Sequence, residues 1–200
     1  MLTAHAAITA IGVPLVQGLS NADQQAGLGP LWPSLAATLA ASEGDVIADL
    51  GRISAIHPGL AVVSAAQRVL LAVRPNLEEL LRLRDRVRQL LAVVGDDASR
   101  LVVVVIAPEK TAQRDQRAVA RVLADAALSA VRVVWFPFAP KEVAAFYAGQ
   151  LNRRGSLSRS ATALAAELSF GAASPVLAPV GSTSGAHAGA FTGEPAWTTS

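Results

Sequence analysis

Short apolar runs alternate with segments of helical periodicity from residue 45 to residue 169. The runs are apolar at successive positions, which is typical of strands that are buried on both faces. Their sequences are DVIADL at 45–50, RVLLAV at 68–73, RLVVVVIA at 100–107 and VRVVWF at 131–136. Helical patterns follow them over about 58–66, 77–91, 111–127 and 139–149, and a last helix is predicted over about 158–169. This order predicts an α/β fold with a mostly parallel sheet that is flanked by helices on both faces.

The longest helical segment starts with a capping signal. Asn76 is suited to the N-cap position, and Glu79 follows three residues later, as in a capping box. Apolar residues then recur at helical spacing: Leu77, Leu80, Leu81, Leu83, Val87, Leu90 and Leu91. We therefore expect a helix directly after the second predicted strand.

The two ends of the chain differ from this central region. Residues 1–44 contain AITAIGVPLV, which could form an edge strand, and GPLWPSLAATLAA, which predicts an amphipathic helix with Pro30 and Pro33 in its first turn. This amino-terminal strand and helix could belong to the same domain as residues 45–170. Residues 171–200 are rich in Gly, Ala, Ser, Thr and Pro, so we expect a disordered tail.

The composition predicts where the protein is located more clearly than what it does. Although 52% of the residues are hydrophobic, the apolar runs are far shorter than a bilayer span, so no membrane partner is expected. No basic region precedes the apolar start, and the absence of cysteine excludes a disulfide framework and a thiolate metal site. Both features favour the cytoplasm. The formal net charge of +2 does not point to a particular partner.

The carboxyl ends of the predicted strands mark the edge where a ligand would bind in an open parallel sheet. Asp49 falls at this edge, with a set of neighbouring candidates: Gly51, Arg52, Arg74, Pro108, Pro137 and Phe138. An aspartate in this place can face a magnesium ion or the attacking water of a nucleotide reaction. It can also cap a turn through its side chain, and on this chain alone we favour the turn.

The order and spacing of these segments resemble the carboxyl-terminal portion of the ParA/MinD family of P-loop ATPases, over about residues 45–169. DVIADLGR is similar to the family's strand that ends in a magnesium- or water-facing Asp, and QRVLLAVRPNLEELLRLRDRVRQL to the strand and helix that follow. SRLVVVVIAP stands where the family has a strand leading to an adenine-side Asn. VRVVWFPFAPKEVAAFYAGQ is similar to the family's strand, Pro-X-Asp turn and helix, and LSRSATALAAELS resembles the closing helix. The resemblance implies a SIMIBI, ParA/MinD-like fold.

The chain departs from that family where the nucleotide is held. It has no Gly-Lys-Ser or Gly-Lys-Thr, although the family surrounds its phosphates with a glycine-rich loop that ends in this way. Ala107 and Pro108 stand in place of the adenine-side Asn, and Ala139 in place of the Asp of Pro-X-Asp. We therefore expect an incomplete or degenerate form of the fold without a cofactor. Mg-ATP would bind only if an upstream segment supplied the P-loop.

Metal and hydrolase chemistry have little support in the sequence. His5, His57 and His187 are scattered, and none has a second ligand one helical turn away. A metal site shared by His57 and Asp49 is conceivable only within a loop. The nucleophile elbow G-x-S-x-G is absent. We expect neither kind of site.

Two groups of arginines could contact a polyanion. Arg82, Arg84, Arg86 and Arg88 fall on different faces of their helix and can pair with Glu78 and Asp85, which is typical of a solvated surface. Arg153, Arg154 and Arg159 lie in NRRGSLSR, where no acid stands nearby in sequence. This second group is the candidate for a weak contact with DNA.

Three functional hypotheses follow. The one we favour is a degenerate ParA/MinD-like domain without an intact ATPase site, which acts as a protein-binding or positioning partner and forms a homodimer or a heterodimer with a related ATPase. The second is a fragment of an active ParA/MinD-like ATPase whose P-loop lies upstream, with Asp49 as the catalytic candidate. The third is an accessory domain that binds DNA non-specifically through Arg153, Arg154 and Arg159.

Overall fold

A computed structural model describes residues 6–9, 12–19, 24, 27–54, 56–150 and 152–168. Its strands are β1 (Ala7–Ile8), β2 (Pro14–Leu15), β3 (Val69–Val73), β4 (Leu101–Ala107) and β5 (Arg132–Pro137). Its helices are α1 (Trp32–Ala40), α2 (Leu60–Ala65), α3 (Leu77–Val94), α4 (Ala112–Asp125), α5 (Pro140–Tyr147) and α6 (Ser156–Leu168). Short 3₁₀ turns at Gly29–Leu31, Ala98–Arg100 and Glu109–Thr111 precede α1, β4 and α4.

β4 is the central strand of a three-stranded parallel sheet with the order β3-β4-β5. In register, Val105 of β4 lies between Val73 of β3 and Trp135 of β5. The unbroken run of β-branched residues in β4 suits a strand with neighbours on both sides, and nearly the whole strand is buried. The predicted parallel sheet is therefore confirmed for three of its four predicted strands.

One face of this sheet packs against α3 and α4. Val103 and Val105 point to that face, because alternate residues of a strand share a side. They belong to a buried apolar cluster to which the two helices contribute Leu83, Val87, Leu90, Val94, Val119 and Leu123. The main core of the chain therefore lies between the sheet and these two helices.

The opposite face of the sheet is covered unevenly. At β5 it contacts α6, where Arg132 Nη2 lies 3.1 Å from Glu167 Oε2. Leu70 of β3 shares this face, because it is in register with Val102 and, through it, with Arg132. Its exposed fraction is 45%. Helices thus flank both faces, but β3 keeps an exposed apolar side chain on the second one.

The ends of α3 follow from its sequence. The Asn76 Oδ1 accepts a hydrogen bond from the Glu79 N–H at 2.9 Å, which confirms the predicted N-cap. At the other end Gly95 has φ +79°, a left-handed conformation that glycine adopts without a steric penalty. Its N–H donates to the Leu91 carbonyl and so closes the last turn.

The strand predicted at 45–50 is wrong. These residues have no regular secondary structure, and Ile47 is 96% exposed. Leu50, the last residue of this segment, and Ile53 after it pack against the main apolar cluster. Because no described strand offers this segment a hydrogen-bonding neighbour, its apolar sequence alone does not make it a strand.

The amino-terminal region was predicted in part. The predicted edge strand in AITAIGVPLV is wrong: β1 and β2 form a separate antiparallel pair that is not joined to the main sheet. Helix α1 is confirmed, with prolines at its start, and its Trp32 and Ala36 pack with Val62 of α2. The described residues up to Leu168 form one compact unit. The predicted tail at 171–200 lies outside the described residues.

Candidate functional site

At the carboxyl edge of the sheet, the chain after β5 is tied to the end of β4. The Phe138 N–H donates to the Ala107 carbonyl at 3.0 Å, and the Trp135 Nε1–H donates to the same oxygen at 2.8 Å. Pro137 lies beside Ala107 in register. The Ala107 carbonyl thus accepts two hydrogen bonds, one from a side chain of β5 and one from the first residue after β5.

Arg74 and Phe138 meet across this edge. The guanidinium carbon of Arg74, which follows β3, lies 5.4 Å from the centre of the Phe138 ring, which follows β5. This distance allows a cation–π interaction. The structure therefore brings together two of the candidates that the sequence assigned to one edge.

Asp49 acts in a local turn. It lies in the unpaired segment before Leu50, so the structure does not place it at the end of a strand, and it is exposed. Its Oδ1 accepts a hydrogen bond from the Gly51 N–H at 2.9 Å. Gly51 has φ +60°, and Arg52 after it is exposed. The geometry is that of an aspartate capping a tight turn.

Pro108 and Ala139, which the sequence resemblance sets against nucleotide-binding side chains, both lie at the start of helical turns. Pro108 begins a 3₁₀ turn, and its carbonyl accepts a hydrogen bond from the Thr111 N–H at 3.0 Å. Ala139 is the N-cap of α5 and gives that helix no side-chain cap. At both positions a base would find no side chain that can hydrogen-bond to it.

His57 also stabilises a turn, because its Nδ1 accepts a hydrogen bond from the Gly59 N–H at 3.0 Å. His5 and His187 lie outside the described residues. Within the part of the chain that the structure describes, no three His, Cys, Asp or Glu side chains come together as a metal site. No helix in that part is long and apolar enough to cross a membrane.

A shallow depression of about 540 Å³ lies where β4 leads into α4. Its lining is mostly cationic and amide: Glu109, Lys110, Gln113, Arg114 and Arg117. This cluster was not among the predicted site residues. The available signal was the spacing of three and four residues between Arg114, Arg117 and Arg121, which puts three guanidinium groups on one helix face.

Asp115 lies in the first turn of α4 and is nearly buried. Its side chain is 11% exposed, and its Oδ1 accepts a hydrogen bond from the Arg114 Nε–H at 2.9 Å. The Thr111 hydroxyl and then Arg114 lower the pKa of Asp115 below its ordinary value of 3.8, although burial opposes them. Asp115 thus carries a negative charge beside the cationic depression.

Four large apolar side chains on α5 or just before it are exposed. They are Phe138, Val143, Phe146 and Tyr147, of which Tyr147 is 84% exposed. The Phe146 and Tyr147 rings meet edge to face, with 6.1 Å between their centres. Exposed apolar groups that cluster in this way are typical of contact surfaces.

Two of the arginines proposed for DNA, Arg153 and Arg154, lie in the loop before α6, and Arg159 lies in the first turn of that helix. The Arg154 N–H donates to Asn152 Oδ1 at 3.0 Å, and the Arg159 guanidinium donates to the Arg154 carbonyl. Arg153, Arg154 and Arg159 are all exposed. The Glu142 carboxylate, which is distant in sequence, contacts the start of α6 at Ser156, and the DNA contact stays a prediction.

The arginines of α3 have the surface pairs that the sequence predicted. Arg82 lies 3.0 Å from Glu78, while Arg84 and Arg88 lie 3.5 Å and 3.9 Å from Asp85. All of these side chains are more than half exposed, so the pairs contribute little to stability. This helix face is a solvated surface.

No protein-family model, curated protein or solved structure matches this chain.

Proposed function

We propose that this chain is a degenerate ParA/MinD-like α/β domain that binds another protein and does not hydrolyse ATP. The outer edge of β3 is the observation that supports this proposal. Within the described residues β3 pairs only with β4, so the backbone groups on its other side lack a strand partner. Such an edge can accept a further strand.

The composition of β3 makes this edge favourable for binding. Its sequence, VLLAV, has neither a charge nor a proline, which are the usual means of preventing edge-to-edge pairing. Leu70 adds exposed apolar surface on one face. A strand placed beside β3 would bury this side chain and satisfy the free backbone groups at once.

The partner is a strand from a second protein chain, either another copy of this chain or a related ATPase. This choice agrees with the changed nucleotide contacts, since Ala107, Pro108 and Ala139 leave little to orient a base. In this role the domain positions its partner and leaves the chemistry to it.

Sedimentation of the 200-residue chain, alone and with a competent ParA/MinD-like ATPase, tests the proposal. Leu70→Lys adds a charge at the β3 edge and should abolish assembly. Leu77→Lys is the matched control, because Leu77 is 74% exposed on α3, and it should leave assembly intact. A wild-type chain that stays monomeric and captures no related ATPase would refute the proposal.

A further inference from the structure

The outward face of α4 carries a stripe of cations. Lys110, Arg114 and Arg117 line one depression, and Arg121 follows one turn further along the helix. Arg114, Arg117 and Arg121 share one face of α4, about 10 Å long at 1.5 Å per residue, and Lys110 precedes them in the 3₁₀ turn before the helix. All four residues are exposed.

Most of this charge has no partner within the described residues. Arg114 contacts Asp115, but no carboxylate there forms an ion pair with Lys110, Arg117 or Arg121. Cations near the start of a helix also oppose its dipole, which favours acids at that end. Arg114 therefore does not stabilise the start of α4 through the dipole, and an external anion would relieve the repulsion among these cations.

The residues beside the stripe leave room for another helix. Ala118 and Ala120 lie on its two flanks, Ala124 continues it, and all three are exposed. Alanines let the backbone of a second helix approach closely, while the arginines can reach carboxylates on that helix. The opposite side of α4, with Val119 and Leu123, is committed to the core.

We propose that this face of α4 is a docking surface for an acidic α-helix of a partner protein. Carboxylates at the same spacing of three and four residues would each face one arginine of α4. Glu109, in the same depression, would repel a continuous polyphosphate but can pair with a basic residue of a protein. The small net charge of +2 likewise gives a nucleic acid little long-range attraction.

The test measures binding of the full chain to three probes at low salt. The first is an alanine-based helical peptide of about 20 residues with three glutamates at the matching spacing. The second has the same composition with its glutamates distributed around the helix, and the third is a short DNA duplex. The matching peptide should bind most tightly, and its affinity should fall as salt rises.

Variants locate the site. Arg117→Glu with Arg121→Glu should weaken the matching peptide by about tenfold or more, and Arg117→Gln with Arg121→Gln by less. Arg153→Glu with Arg154→Glu is the matched control, with the same charge change elsewhere, and should leave binding intact. Leu70→Lys should also leave it intact, which separates this surface from the β3 edge. If the double variant with glutamates does not fold, the double variant with glutamines decides the result.

Two results would overturn the inference. Equal affinity for the two peptides would show attraction to charge without docking of a helix. Binding of DNA that is lost in the α4 variants, without binding of the matching peptide, would show that the stripe contacts phosphates instead.

Discussion

The carboxylate of Glu142 caps a helix that begins fourteen residues later, at Ser156. Its Oε1 accepts hydrogen bonds from the Ser156 N–H at 3.0 Å and from the Ser156 hydroxyl at 2.7 Å. Its Oε2 accepts one from the Leu157 N–H at 3.1 Å. Glu142 lies on α5, so its side chain links α5 to α6. It accepts hydrogen bonds from amides at the start of α6 that have no partner within that helix.

Replacing Glu142 by Gln should lower the melting temperature in a pH-dependent manner. The Ser156 hydroxyl, followed by the Leu157 amide, lowers the pKa of Glu142 below its ordinary value of 4.5, with burial opposing. A lowered folded-state pKa means that the stabilisation is fully present above 4.5 and is lost as the pH falls through the lowered value.

Thermal melts of wild type and Glu142→Gln from neutral to strongly acidic pH check this expectation. The gap between the two melting temperatures should be widest near neutrality and should close in acid. Glu43→Gln, in an exposed position, should match wild type at every pH. A gap that stays constant with pH would contradict the assigned role of the carboxylate.

Gly155→Ala should destabilise the chain through Glu142. A Cβ at position 155 would overlap Glu142 Oε2 and come within 3.1 Å of the Asn152 carbonyl. The carboxylate would then have to leave the start of α6. In a double-mutant cycle we expect the cost of Gly155→Ala to shrink in a Glu142→Ala background. Additive effects of the two changes would show that the strain lies elsewhere.

Arg100→Ala should cost about 2–3 kcal/mol of unfolding free energy, because one guanidinium holds several helix-terminal carbonyls. Its Nη1 donates to Val94 at the end of α3, and its Nη2 donates to Ser64 and Ala66 at the end of α2. Arg100→Lys should recover only part of the loss, since an ammonium cannot span these oxygens. Urea unfolding measures both, with Arg121→Ala as a surface control.

Asp49→Ala should have a small effect on stability, about 1 kcal/mol, from the lost hydrogen bond to Gly51. We expect no change in the binding of labelled Mg-ATP or Mg-ADP, because the side chain is engaged in its own turn. Equilibrium binding with both proteins measures this. Micromolar binding that the substitution weakens would instead make Asp49 a nucleotide-site residue and would favour the ATPase hypothesis.

Local signals predicted those elements whose causes are local. Asn76 and Glu79 define the start of α3, and the continuous valines define β4 as a central strand. The residues of 45–50 have a similar apolar character but no strand partner, and pairing depends on which segment lies alongside. A strand needs a neighbour, which a sequence segment cannot specify by itself.

The site shows the same limit. Arg74 and Phe138 were expected at one edge because both follow strands, but their contact depends on the order of the strands in the sheet. The cationic face of α4 was missed because polar residues interrupt it in the sequence. Only the helical period brings its members together.

The order of the three parallel strands in space is also their order in the chain. Each new strand can therefore add to the one synthesised just before it, and no strand has to be inserted between two that are already paired. Chain growth on a ribosome would extend the sheet in one direction, from β3 toward β5. Closure of each step spans only one intervening helix, which keeps the entropy of loop closure small and favours rapid folding.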